Sequence, residues 1–534
     1  LIKDGKIHTI GKAGEIHLPA NTEIIDAKEK FIIPGMTDGH IHFFQSGGLY
    51  TRPDGLDLRH RMPYEQELSW IRENIDDVFN RYLRSGITTV IDMGGPYWNF
   101  DIRRKAADMQ KAPRTYVAGP LIASYSPPQL QTDDPAIIKV NSKEEALELV
   151  RKQAEMGTDF IKIWYVVSRG GSPVMEREKF YPVVKAVVDE SHKRGLPVWI
   201  HATELETARS AVEAGCDVLV HNVTDKEIDD DLIEMMKAND VILIPTLWVF
   251  SSYAAVYSKQ LDLMPVEHLW GNPYVIGTLY DMHELSDDEL GERQKKLQAE
   301  NPHIKTSDVL LKNLKKMQDA GITIAVGTDA GNVGVIHGPA IFHDFEIMRE
   351  AGLSNHEILV DATLNGAKLL DKEDEFGSIA EGKAADLVIL NSNPIEDIQN
   401  TQDIYLVARA GNVYKPDDLV KPDPEDIAQI QLNAYNERDL ETFLSVYAPD
   451  VEVYNFPDEL QYKGIDKMRE RYSEFFDKAD ELHCKLLNRI VQGKYVMDKE
   501  LVTTGIPGRD TIRASALYEI ENGFIQKVWF LREK

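Results

Sequence analysis

Between residues 37 and 328, short apolar runs of strand length alternate with longer helical segments. Eight such runs occur: 37–43, 88–93, 115–122, 160–166, 198–202, 218–222, 241–247 and 323–328. Near-continuous apolar strands separated by helices are the pattern of a parallel sheet covered on both faces, and eight of them are the number that closes a (β/α)8 TIM barrel. In that fold the chemistry sits at the carboxyl ends of the strands. Five of the runs carry a residue of metal-ligand type in or just after them: His40 with His42, Lys162, His201, His221 and Asp329.

The first run lies in Phe-Ile-Ile-Pro-Gly-Met-Thr-Asp-Gly-His-Ile-His-Phe-Phe-Gln, residues 31–45. Alternate side chains of a strand share a face, so His40 and His42 point the same way. A lone His-x-His is weak evidence, because metal sites need three or four donors. Lys162 is more informative. It stands inside the apolar Phe160-Ile161-Lys162-Ile163-Trp164, where a buried ammonium is costly unless it is neutralised or paired. It is either converted to another charge state or sits at the strand rim beside an acid. His201, in Trp199-Ile200-His201, and His221, in Leu219-Val220-His221, are each by themselves also compatible with hydrogen-bonded core histidines.

Taken in order, Pro34-Gly35, Asp38, His40-x-His42, Lys162, His201, His221 and Thr328-Asp329-Ala330-Gly331 resemble the amidohydrolase superfamily of metal-dependent hydrolases. The resemblance covers roughly residues 1–415 and includes Asn365-Gly366-Ala367 and Gly382-Lys383-Ala384-Ala385-Asp386. It implies a divalent-metal enzyme, with two Zn²⁺ per chain expected and Mn²⁺, Fe²⁺ or Co²⁺ also compatible with nitrogen and oxygen donors. By the same resemblance His40, His42 and Asp329 hold one ion, His201 and His221 the other, and a carbamylated Lys162 bridges them. Asp329 is then the catalytic proton carrier in hydrolysis of an amide-like C–N bond in a small molecule or dipeptide. One departure keeps an alternative open. Glu204 follows His201 at a spacing shared with the one-metal deaminases and imidazolonepropionases, where the glutamate moves protons. Its bland reading is a solvated residue opening the next helix.

The 534 residues exceed what one core organises, so two or three domains are expected. Residues 1–33 and 371–415 read as turns and strands, including 22–27, and together form the family's small β-sandwich; 34–370 is the barrel. Residues 415–424 are polar and proline-punctuated, a linker. From 425 to 534 an amphipathic helix, Ala434-Tyr435-Asn436, Tyr447-Ala448-Pro449-Asp450 and closing strands resemble the SnoaL-like, or NTF2-like, α+β fold, a third functional possibility as a dimerisation or ligand-binding module. The long stretch 248–320, with Tyr253, Tyr257, Trp270, Tyr274 and Tyr280, is either a lid over the barrel or an aromatic packing subdomain.

Sixty basic against 88 acidic residues give a net charge of −28, which argues against nucleic acid and anionic membrane as partners. No apolar run reaches the roughly 18 residues of a membrane span. The two cysteines, Cys216 and Cys484, make no disulfide framework. The expected partners are a small-molecule substrate and a second copy of the chain. The sequence does not fix the location; a cytoplasmic chain is one expectation, and a periplasmic one the other if a leader has been removed from ahead of Leu1. Arg52, His60, Arg61, Tyr97, Trp98, Tyr165 and Arg169 lie on or near strand-end loops where a substrate carboxylate would be recognised. His337 and His343 follow Asp329 on or just after a glycine-rich loop and are expected to meet substrate rather than metal.

Overall fold

The computed structural model describes residues 1–12, 14–167, 177–507 and 511–531. They form two compact units, Leu1–Ser252 with Ile304–Leu419, and Tyr253–His303 with Val420–Lys534. The first unit opens with a small hairpin (β1, Ile2–Lys3; β2, Lys6–Ile7), followed by β3 (Phe31–Pro34) and β4 (Met36–Ile41). Residues 22–27, expected as a strand, are not one. Among the described residues no strand pairs with them, and Ile24 and Ile25 are exposed.

β4 pairs in parallel with β5 (Ile87–Asp92), and β5 with β6 (Arg114–Val117). The run 115–122 is two strands rather than one. Gly119-Pro120 interrupts it, since proline has no N–H for a ladder, and β7 (Leu121–Ala123) joins a second parallel sheet. That sheet has the order β12-β11-β10-β9-β7-β8, with β8 at Ile137–Lys139, β9 at Ile161–Trp164, β10 at Val198–His201, β11 at Val218–Val220 and β12 at Ile242–Ile244. β8 was not anticipated; three residues with only Ile137 buried carry no readable period. The last expected run, 323–328, makes one isolated bridge, Ile324 with Leu243, instead of a strand. The Ala325 amide donates to Leu243 O at 2.9 Å on one side and Val326 O accepts from the Gly39 amide at 2.8 Å on the other, so the segment lies between β12 and β4.

Facing side chains from these strands form one apolar cluster, including Ile91, Met93, Phe160, Trp199, Val220 and Ile244, in which the Phe160 and Trp199 rings stack at 4.0 Å. The two ends of the unit meet in a four-stranded antiparallel sheet, β15-β14-β13-β3, where β13 is Leu387–Leu390, β14 Ile404–Arg409 and β15 Asn412–Tyr414. Asp386 ties this sheet to β6 by accepting from Arg114 and Arg409 and from the Ala410 amide.

In the second unit a six-stranded sheet runs β17-β16-β21-β20-β19-β18, built from β16 (Tyr447–Asn455), β17 (Glu459–Lys463), β18 (His483–Gln492), β19 (Tyr495–Thr503), β20 (Thr511–Glu521) and β21 (Phe524–Leu531). Helices Pro424–Glu437, Leu440–Ser445 and Ile465–Lys478 accompany it. The polar stretch read as a linker is more ordered than expected. It contains the short helix Pro416–Leu419, and Asp423 caps the helix that follows by accepting from the Glu425 and Asp426 amides.

The aromatic-rich stretch 253–303 belongs to this second unit. Asn433 on helix Pro424–Glu437 donates to Pro273 O at 2.7 Å. Glu437 at the end of the same helix takes the Tyr280 hydroxyl, the Leu263 amide at 2.5 Å and an ion pair with His268 at 2.8 Å. Burial alone would lower His268, but Glu437 outweighs it and holds the imidazole above its ordinary 6.5. A raised value means stability that is complete below 6.5 and is lost as pH rises through the folded-state value. The Glu437→Ala variant, which strands three buried donors, should lose about 3 kcal/mol or more of the second unit's stability. Calorimetric unfolding checks both points: the wild-type midpoint should fall as pH rises above 6.5 and the variant should lack that slope.

Candidate metal centre

Lys162 and His201 lie two residues beyond Phe160 and Trp199, on the same strand faces as those two members of the apolar cluster. His221 would point to the other face by alternation with Val220. Its left-handed backbone, φ 73°, turns the chain at the end of β11, and its ring stands 4.3 Å from that of His201 and 5.0 Å from that of His40. Asp329 is left-handed as well, φ 63°. Such conformations cost energy in non-glycine residues and persist where the surroundings fix them. Here the fixing contacts are backbone bonds: the His221 amide to Ile244 O at 2.7 Å and the Asp329 amide to His40 O at 2.8 Å. Gly327 permits the close approach of this segment, since a Cβ there would stand 2.8 Å from His40 Cβ.

His40, His42 and Asp329 converge. His40 Nε2 and His42 Nε2 are 3.3 Å apart, and Asp329 Oδ1 lies 3.1 Å from the first and 3.3 Å from the second. Donors bonded at ~2.1 Å in a tetrahedral shell stand ~3.4 Å from one another, so the triangle has the dimensions of a divalent site. The outer nitrogens agree. His42 Nδ1 meets Gly94 O at 3.0 Å and so carries the proton, leaving Nε2 a lone pair. His221 Nδ1 faces Thr246 Oγ1 at 2.5 Å. Burial lowers His40 to about 4 and His201 and His221 well below the usual histidine value, so their rings are neutral near pH 7. Burial would raise Asp329, but His40 and His42 outweigh it and its carboxyl lies well below the carboxylate range.

Lys162 is fully enclosed, and among the described residues its amine meets only Met93 Sδ, at 3.9 Å, with no ion pair. Burial pushes it down to about 7, against the pull of Asp329. The rim-lysine reading required an acid beside it.

The remaining candidates make the following contacts. Glu204 precedes helix Leu205–Ala214, and its carboxylate takes the Thr207 hydroxyl at 3.2 Å while Thr207 Oγ1 receives the Glu204 amide at 3.3 Å. Arg52 is held by Asp54 in a bidentate pair at 2.7 Å and donates to Asn332 Oδ1 at 2.7 Å. Tyr97 lies under the Lys152 ammonium at 3.9 Å. Tyr165 is buried, its hydroxyl donating to Arg177 O at 3.2 Å. His343 stacks on Trp248 at 3.9 Å. His337 bridges the Tyr82 hydroxyl and Gln45 O, both at 2.7 Å. His60 and Arg61 are exposed and Trp98 is half-buried, while Arg169 lies outside the described residues.

Several supporting residues escaped the sequence reading. Asn332 donates to Asp329 Oδ1 at 2.8 Å; an asparagine three residues after the aspartate in a glycine-rich turn was the available signal. Asp92 accepts from the Phe43 and Gly94 amides and from Asn99, at 2.7 to 2.8 Å, and so holds the carbonyl that orients His42. Thr246 carried no signal at all.

Known proteins resemble this chain in the same region. A guanine deaminase of Escherichia coli K12 is 23% identical over 426 residues, covering 76% of this chain and 84% of that one. An ochratoxinase of Aspergillus niger is 26% identical over 280 residues, about half of each chain. Among solved structures, a Xaa-Pro dipeptidase with bound methionine superposes with a TM-score of 0.58 at 26% identity, covering 78% of this chain and 94% of that one. Residues 429–528 match the SnoaL-like domain. Residues 31–416, well over half the length, match the Amidohydrolase family, and the chain therefore belongs to that family of hydrolases acting on C–N bonds.

Proposed function

We propose that this chain is a two-metal hydrolase that cuts an amide-type C–N bond in a dipeptide or N-acyl amino acid. The observation that carries the reading is Lys162, a buried amine that makes no ion pair among the described residues although Asp329 lies near enough to pull on its charge. An ammonium there would repel divalent ions, whereas a carbamate on the same nitrogen would give Lys162 an anionic donor for them. Its formation is balanced: the free amine attacks carbon dioxide, an N–C bond forms and a proton leaves. His40, His42 and Asp329 would then hold one ion, His201 and His221 the other, and a carbamylated Lys162 would serve both. Divalent ions there supply a water nucleophile near neutral pH and a polarised carbonyl.

Asp329 stays ionised because His40 and His42 hold its carboxyl low, so it can accept the proton of the attacking water and pass it to the leaving nitrogen. Asn332, itself held by Arg52, aims the carboxylate. Arg52 therefore acts through this chain of bonds rather than as an open clamp for substrate. The likeness to a Xaa-Pro dipeptidase and an ochratoxinase supports the amide-type substrate class. For the architecture we read an eight-stranded barrel over 34–370. The support is that segment 323–328 bonds both β12 and β4, and that the Asp159 amide donates to Val117 O at 3.1 Å next to β6 and β9. We read a β-sandwich over 1–33 and 371–415.

A second reading, a one-metal deaminase using Glu204, is favoured by the match to guanine deaminase over most of both chains. The Thr207 bond of Glu204 supports a helix-capping role instead. Ammonia release abolished by Glu204→Gln would select the deaminase.

Activity of Lys162→Ala should fall on the order of a hundredfold and recover partly with added short carboxylic acids. Metal-free protein given ¹³C-bicarbonate should show a carbamate carbon that is absent in that variant. Because the amine must be neutral to react, the signal should grow as pH rises through about 7. Unchanged activity with one metal per chain would exclude the reading. In Asp92→Ala the Gly94 carbonyl loses its anchor, and equilibrium dialysis should show divalent-metal affinity weakened roughly 10 to 100-fold.

A further inference from the structure

The imidazoles of the metal-type cluster form a row, with ring centroids 5.2 Å apart from His42 to His40, 5.0 Å from His40 to His221 and 4.3 Å from His221 to His201. Asp329 bonds the His40–His42 end of that row. The other end is flanked by two aromatic rings. Trp164 stands edge-on to His201 at 6.2 Å, and Phe250 edge-on to His221 at 6.0 Å. Both are half-buried, whereas Phe160 and Trp199 in the apolar layer are fully enclosed. The strand accounts for the position of Trp164. It closes β9 two residues beyond Lys162, on the same face, and pairs across the ladder with His201. The ring packs against a cluster that includes Leu121, Ala123 and Leu130, which braces it. Phe250 stands at the start of helix Val249–Tyr257, directly after the Leu247 and Trp248 amides that Asp344 binds at 3.0 and 2.9 Å. Arg52, whose charge reaches His201, is held by Asp54 and Asn332.

We propose that Trp164 and Phe250 form an apolar clamp at the His201–His221 end of the row and select substrates whose acyl group carries a ring. The inference rests on the reading of the centre as an amide hydrolase and adds an orientation to it. Asp329, which in that reading protonates the leaving nitrogen, stands at the His40–His42 end. The amine side of the substrate therefore lies toward that end and the acyl side toward the two rings. A benzyl-sized group held between them leaves water, and ring pairs gain further from offset or edge-on contact. A charged acyl group in the same place would give up its water to hydrocarbon.

Rates of the metal-loaded full chain on N-acetyl-, N-succinyl- and N-(3-phenylpropanoyl)-alanine test it. The phenylpropanoyl compound should exceed the acetyl one in kcat/KM by roughly tenfold or more, and the succinyl one should be the slowest. N-acetyl-phenylalanine, with its ring on the amine side, should gain less. Trp164→Ala and Phe250→Ala should each shrink the phenylpropanoyl-to-acetyl ratio, while Trp164→Phe should keep most of it and controls for folding. Calorimetric titration with acetohydroxamate and 3-phenylpropanohydroxamate needs no turnover; the second should bind about tenfold more tightly, and that margin should shrink in Trp164→Ala. Equal kcat/KM for the acetyl and phenylpropanoyl compounds, a preference for succinyl, an equal gain from a ring on the amine side, or a ratio unchanged in both alanine variants would overturn the clamp and leave the hydrolase reading standing. Turnover of none of these amides would fell the hydrolase reading instead. The clamp would then stand on a hydroxamate margin that Trp164→Ala removes, and would fall with equal binding of the two hydroxamates or binding of neither.

Discussion

The metal-type cluster depends on one buried carboxylate that belongs to none of its ligand positions. Asp38 accepts from the Thr328 amide at 3.0 Å, the Thr328 hydroxyl at 2.7 Å and the His40 amide at 3.3 Å. Segment 323–328 has no continuous ladder to hold it, so these bonds, with the flanking backbone contacts to β4 and β12, decide where Asp329 stands. Burial raises Asp38 to about 7 in spite of its three donors, which measures how unfavourable this environment is for charge. A carboxylate tolerated there only with every neighbour donating leaves the chain little freedom to slide, and Asp329 inherits that rigidity.

The same rigidity accounts for the strained backbone around the cluster. His221, Thr246 and Asp329 all take left-handed conformations, and each immediately follows or closely succeeds a segment whose amides and carbonyls are paired in a parallel ladder or bridge. Regular strands deliver side chains at alternating heights on alternating faces. A local left-handed turn is what brings His221 round to the same point as His201 and His40. Energy stored in three residues is offset by the packed apolar layer beneath them, where Phe160, Trp199, Val220 and Ile244 leave the strands no room to relax.

Much of this was legible in the residues themselves, and the exceptions have physical reasons. The six ligand-type residues stood out because a histidine, lysine or aspartate inside or closing an apolar run is conspicuous. Long helices and parallel strands were equally visible, since both impose a period on many residues at once. β8 escaped because three residues carry no period, and 22–27 misled because a short β-type run such as Ile24-Ile25 describes a strand without guaranteeing it a neighbour. Residues that act through a single bond, such as Thr246 on His221 or Gly94 on His42, are invisible in one dimension. Their partners lie 25 and 52 residues away, and nothing in their own surroundings marks them. Tyr165 and Arg52 looked like substrate contacts by position on strand-end loops, yet both are engaged within the protein.

The assignment of 253–303 to the second unit has a consequence for how the chain is made. Asn433 and the carbonyl it binds on Pro273 are 160 residues apart, and all of β13 to β15 must emerge between them. A ribosome therefore releases the helices of this insertion, with Val275, Ile276 and Leu279 destined for burial, long before the helix and sheet that cover them exist. The first unit is fully translated at Leu419 and can close first, but the second cannot fold in one piece as it emerges. Its early segments must wait, shielded by transient contacts or by a chaperone, until the last hundred residues have been translated.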